Sequence, residues 1–107
     1  MLFDINSAVI KLETQAAVEL TGGALRSVDI WNIRVEGHTD NTASDSLDLD
    51  LSQRRAQMVA AALDKTGRTG NITPLGFGKT CPISDNATEA GRAQNRRVSV
   101  VAIDSRN

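Results

Sequence analysis

The chain has 107 residues, 40% hydrophobic and 23% charged, with a formal net charge of −1. That describes one globular domain over residues 1–107, too apolar for a disordered segment and without the positive excess that draws a protein onto nucleic-acid phosphates. Phe3, Trp31 and Phe77 are its only aromatic residues, too few for base stacking, and the single cysteine, Cys81, excludes an internal disulfide or a Cys-rich zinc site.

No apolar stretch approaches the length of a membrane span. The N-terminus, from Met1 to Asp4, carries neither the basic nor the apolar region of an export signal, so work outside the cytoplasm implies a longer parent protein. In chain order, Leu2–Ile5 reads as a short strand closed by an Asn6-Ser7 turn. Apolar residues at three- and four-residue steps predict a first helix from about Val9 to Leu20, stopped by Gly22-Gly23. Val28, Ile30, Ile33 and Val35 predict a strand ending at Gly37, with the alternation slipping near Trp31. A polar loop follows, and a second helix is predicted from about Asp48 to Lys65, capped by Asp48 or Asp50. Ile72–Phe77 is the next expected strand, Gly78–Ala93 a long loop, and Arg96–Ile103 the last strand. The order βαβαββ predicts an α+β fold with two helices on one face of a mixed four-stranded sheet.

Charge is unevenly spread. Five acids and no bases lie between Glu36 and Asp50, whereas bases outnumber acids from Ser52 to Val98. Two solvated faces of opposite sign would explain this; an acid and a base meeting in one pocket would make it functional. On a helical wheel starting at Leu51, the residues Leu51, Met58, Val59, Ala62 and Leu63 form an apolar stripe centred near about 45°, and Arg55 falls inside it at about 40°. A guanidinium there snorkels to water at the helix end or forms the cationic wall of a pocket, with Asp40 its natural partner.

Four motifs then occur in order: Gly37-His38-Thr39-Asp40, Leu51-Ser52-Gln53-Arg54-Arg55-Ala56, Gly76-Phe77-Gly78 and Asn95-Arg96-Arg97-Val98. Together with Phe3-Asp4-Ile5-Asn6 they resemble the OmpA-like peptidoglycan-binding domain over essentially the whole chain. The resemblance implies a non-catalytic domain without cofactor or metal. It would grip the diaminopimelate residue of a peptidoglycan stem peptide and so anchor a periplasmic envelope or outer-membrane protein to the wall. Membrane attachment would come through segments outside this chain. By the same resemblance Asp40 takes the ligand's ammonium and Arg55 its carboxylate, Asn6 lines the pocket, and Arg97 is a further candidate. Asp48 stands where the family usually has Asn, and its charge is expected to oppose a ligand carboxylate. The alternative is a protein-interaction or stator domain of the same fold with weak or lost wall binding.

Other features point to structure. His38, Asn95, Arg96 and Trp31 read as packing or loop-locking residues, and Cys81 as a loop thiol. Gly78-Lys79-Thr80 lacks the earlier glycine of a phosphate-binding loop, and Pro82 bars a helix there. The acids of the 45–50 segment lack the glycine and terminal glutamate of a calcium loop. One histidine leaves little material for a catalytic triad.

Overall fold

A computed structural model describes residues 1–4, 7–28, 30–67 and 70–105 of the chain. The elements are α1 (Leu12–Ser27), β1 (Ile30–Gly37), α2 (Asp45–Asp64), β2 (Asn71–Gly76), α3 (Glu89–Asn95) and β3 (Val98–Ser105). The sheet has the order β2-β1-β3, with β1 parallel to β2 across the α2 crossover and antiparallel to β3. The α+β class holds, but among the described residues the sheet has three strands rather than four. Leu2 makes only an isolated antiparallel bridge to Arg97, and Ile5 and Asn6, the end of the expected first strand and its turn, lie outside the described residues.

β1 forms because Ile33 and Val35 alternate with polar neighbours, and both are buried with Val18, Ala56, Val59, Leu63 and Val98 in one core. The ladder with β3 shifts register between Ile30 and Ile33, the region where the sequence alternation slips; the Trp31 side chain is outside the described set. Gly37 lets α2 approach this strand, because a Cβ there would run into the carbonyl oxygen of Ser52.

Helix boundaries differ from expectation in four places, the first being α1, which starts at Leu12 rather than about Val9. α1 runs through Gly22-Gly23 instead of stopping there; a Cβ at Gly22 would stand 2.9 Å from the Thr66 Cβ, so this glycine serves helix packing. α2 starts three residues early, capped by Ser44, whose hydroxyl accepts from the Leu47 amide. Asp48 therefore sits in the first turn rather than at the cap. The long loop after β2 contains α3, started by Thr88 accepting from the Gly91 amide with Glu89 in its first turn.

Candidate functional site

The end of β1, the start of α2 and the end of α3 meet around one narrow crevice lined by Thr39, Asp40, Thr42, Asp48, Leu51, Arg55 and Arg96. The buried face of α2 comprises Asp48, Leu51, Ser52, Arg55, Ala56, Val59 and Leu63. It is turned by about 30° from the stripe drawn on the wheel, which leaves Met58 half exposed, while Asp48, at about 60° from Leu51, faces inward.

Arg55 is fully buried and does not snorkel. Its guanidinium donates through Nε to the Ser7 carbonyl at 2.8 Å, through Nη1 to His38 at 2.9 Å and through Nη2 to Asp4 at 2.8 Å. It also stands 5.4 Å from the centre of the Phe3 ring, a cation–π contact. Burial lowers its pKa to about 10, against the raising charge of Asp40, so it stays a cation at neutral pH. The same side chain thus ties the N-terminal segment to the core and turns a charge toward the crevice.

Asp40 pairs with Arg96 rather than Arg55. Its Oδ2 accepts from Arg96 Nη1 at 3.0 Å, and its Oδ1 from the Thr42 amide at 3.0 Å and the Thr42 hydroxyl at 2.6 Å. Burial works to raise this carboxyl, but the Thr42 and Arg96 hydrogen bonds outweigh it and hold the pKa below the ordinary value. Arg96 is fixed further by donating to Glu89 Oε1 at 2.8 Å and to the Phe3 carbonyl at 3.2 Å. It therefore locks the chain, as its motif suggested, and also walls the crevice, which the sequence did not reveal. Arg96 is the C-cap of α3; with that helix read as loop, the sequence points to Arg97 as the site candidate and to Arg96 only as a locking residue.

Asp48 is buried, and its Oδ2 has no hydrogen-bond partner. Burial raises its pKa, and Asp40 and Asp45 add to the shift, while Lys79 and a side-chain hydrogen bond with Thr39 oppose it. The Lys79 ammonium lies 3.8 Å from Asp48 Oδ2, 3.1 Å from Asp45 Oδ1 and 3.1 Å from the Ala43 carbonyl.

Arg97 does not line this crevice. Its Nη2 donates to the Cys81 carbonyl at 2.9 Å, while its buried Nη1 has no partner. His38 stacks on Phe77 with ring centres 5.4 Å apart, and burial lowers its pKa. Asn95 locks the preceding loop, accepting from the Ile83 and Ser84 amides at 2.8 and 3.0 Å. Asn6 lies outside the described residues, although both described residues flanking the gap in sequence, Asp4 and Ser7, give their carbonyls to Arg55. Ser52 and Gln53, from the same motif as Arg55, are structural: Ser52 Oγ accepts from the Gly78 amide at 2.9 Å and Gln53 Oε1 from the Gly76 amide at 2.8 Å.

The OmpA family profile matches residues 2–96. The chain belongs to the OmpA family. Its fold superposes on the peptidoglycan-associated lipoprotein of Burkholderia pseudomallei with a TM-score of 0.84 at 31% identity, covering 94% of this chain and 86% of that one. The cell wall anchor of the type VI secretion system from Pseudomonas aeruginosa gives 0.80 at 38% identity, over 96% and 76% of the two chains. The peptidoglycan-binding protein ArfA of Mycobacterium bovis is 44% identical over 70 residues, 64% of this chain and 22% of its own length. The chain spans 30%, 61% and 64% of the length of three outer-membrane porin and lipoprotein relatives that it matches.

Proposed function

We propose that this OmpA-family domain binds peptidoglycan without catalysis, through the diaminopimelate of the stem peptide, and anchors a periplasmic or outer-membrane parent protein to the wall. The observation that carries the reading is the meeting of two buried carboxylates, Asp40 and Asp48, with two buried guanidinium groups, Arg55 and Arg96, in one crevice. These charges balance, which suits a ligand that is itself a zwitterion: the distal carbon of diaminopimelate bears an ammonium and a carboxylate. Arg55 has five N–H donors and commits three to carbonyls, leaving two for a carboxylate. The amides at the start of α2 favour an anion at the same end. The relatives named for peptidoglycan and cell-wall attachment support the same ligand class.

The test is retention of the wild-type domain on purified, protein-free sacculi, with release by soluble stem peptides. Retention, and release by a diaminopimelate peptide at concentrations where its lysine counterpart is inert, is expected. A domain that stays in the supernatant at low salt would instead be an interaction module of the same fold.

A further inference from the structure

Asp40 keeps an acceptor position open, and the reason lies outside the crevice. An ionised carboxylate offers about four lone-pair sites. Among the described residues, Asp40 Oδ1 takes the Thr42 amide and hydroxyl, whereas Oδ2 takes only Arg96 Nη1. The side chain keeps 5% of its surface exposed and lines the crevice. Arginine–carboxylate pairs frequently close as a two-armed fork, two N–H groups meeting both carboxylate oxygens. Arg96 does not close on Asp40 in this way. Its Nη2 donates to Glu89 Oε1 at 2.8 Å and its Nε to the Phe3 carbonyl at 3.2 Å.

α3 places Glu89 for that task. Glu89 directly follows the Thr88 cap in the first turn of the helix, and its Oε2 accepts from Arg92 Nε, one turn on, at 3.2 Å. Its side chain is 62% exposed and is not among the groups that line the crevice. The charged groups facing Arg96 are therefore Asp40 from the end of β1, Glu89 from α3, and Arg55 of α2, whose pKa the charge of Arg96 helps to lower. Two carboxylates share one guanidinium, so the Asp40–Arg96–Glu89 group carries a net negative charge.

We infer that Glu89 is a positioning residue for ligand binding: by holding one arm of Arg96 it prevents a two-armed pair with Asp40 and keeps an acceptor ready for the ligand's ammonium. This rests on the zwitterion reading above and adds to it a residue that lies outside all of the motifs. Without Glu89, Arg96 turns both Nη groups to Asp40, the carboxylate is spent, and the ammonium meets a neutral pair. Arg55, which faces the ligand's carboxylate, keeps its partners. The loss therefore falls on the amine that diaminopimelate and lysine have in common.

Two measurements on the whole chain, wild type and Glu89→Gln, test this: calorimetric titration with matched soluble diaminopimelate and lysine muropeptides, and carbon-detected NMR titration of the Asp40 carboxyl without ligand. Glu89→Gln is expected to bind both peptides about threefold more weakly, the modest effect of a largely exposed ion pair. The preference between the peptides should stay as in wild type. The loss should persist in about 1 M salt, where the Debye length is about 3 Å and distant charge is screened. The Asp40 carboxyl should titrate at lower pH than in wild type, because it gains a second guanidinium contact. Unchanged or tighter binding, or an Asp40 titration that does not move, would overturn the role of Glu89. A loss that vanishes in high salt would reduce Glu89 to a distant charge and overturn its hold on Arg96. A loss confined to the diaminopimelate peptide would overturn the assignment to the ammonium. Each of these leaves the wall-binding reading standing, whereas a wild-type domain that takes neither peptide overturns that reading and the role of Glu89 with it.

Discussion

Arg55 carries two roles that pull in different directions for a mutagenesis experiment. Its place in an apolar stripe suggests that leucine would be tolerated or even stabilising there. The three carbonyls of Asp4, Ser7 and His38 that it satisfies say otherwise, since a leucine leaves them without donors and releases the N-terminal segment. Arg55→Leu is expected to cost at least about 2 kcal/mol, read as a lower midpoint in urea unfolding; a midpoint equal to wild type would show that these hydrogen bonds do not hold the fold. Asp48 behaves in the opposite way. Its raised carboxyl favours the folded state only while protonated. That advantage is complete at acid pH below the ordinary carboxylate range and disappears as pH rises through the folded-state value. Asp48→Asn should therefore be more stable than wild type at pH 7, by about 1 kcal/mol, with the difference shrinking as the pH is taken toward 3. Asp40 shifts the other way: its contribution is full at neutral pH and fades as pH falls through its lowered value, in both proteins alike. A gap that widens on acidification would contradict the assignment of Asp48 as a carboxyl that burial holds above its ordinary pKa. The expected narrowing makes Asp48 a residue that costs stability at neutral pH, as a group kept for binding does.

At the scale of elements, paired glycines in α1 give a direct test of helix packing. Gly23 has only the far end of the Arg26 side chain near it, whereas Gly22 sits against Thr66. Gly23→Ala should stabilise the domain by about 0.5–1 kcal/mol through helix propensity. Gly22→Ala should destabilise it by about 1 kcal/mol or more, because overpacking outweighs the same propensity gain. Thermal melts that rank the two variants the other way would place the helix end at the glycines after all. The diglycine misleads a reading of the sequence because a stop signal and a close packing contact use the same residue. The strong patterns were legible: the alternation of Ile33 and Val35, the long amphipathic α2, and the misplaced Arg55 within it. Asp48 was legible as a site residue only through the family motif, although its phase on α2, about 60° from Leu51, already puts it on the buried face. α3 was not legible, since seven residues give too little periodicity, and the signal present was the Thr88 cap and Glu89 beside it. Missing that helix also hid Arg96, whose position at its C-cap rather than in β3 aims it at Asp40.

Across the whole molecule, the three-stranded sheet puts its chemistry at one end. The C-terminal end of β1 delivers Asp40, the first turns of α2 deliver Asp48 and Arg55, and α3 delivers Arg96, so residues far apart in sequence share one crevice. Arg55 and Arg96 also reach back to the carbonyls of Phe3, Asp4 and Ser7, which makes the N-terminal segment part of the site's frame. A hollow of about 680 Å3 beside Ser7–Ile10 and Met58 has a larger volume but only Arg54 as a charged group, and Arg54 is paired with Asp50 at 2.9 Å. Charge balance therefore decides the ligand reading over volume. Diaminopimelate differs from lysine by the carboxylate on the carbon bearing the distal amine, so a lysine peptide would leave the buried Arg55 charge facing the crevice without its anion. Calorimetric titration of the wild-type domain with matched soluble muropeptides of the two types measures that difference. About tenfold or greater preference for the diaminopimelate form is expected; equal affinity for the two would overturn the pairing of Arg55 with a ligand carboxylate.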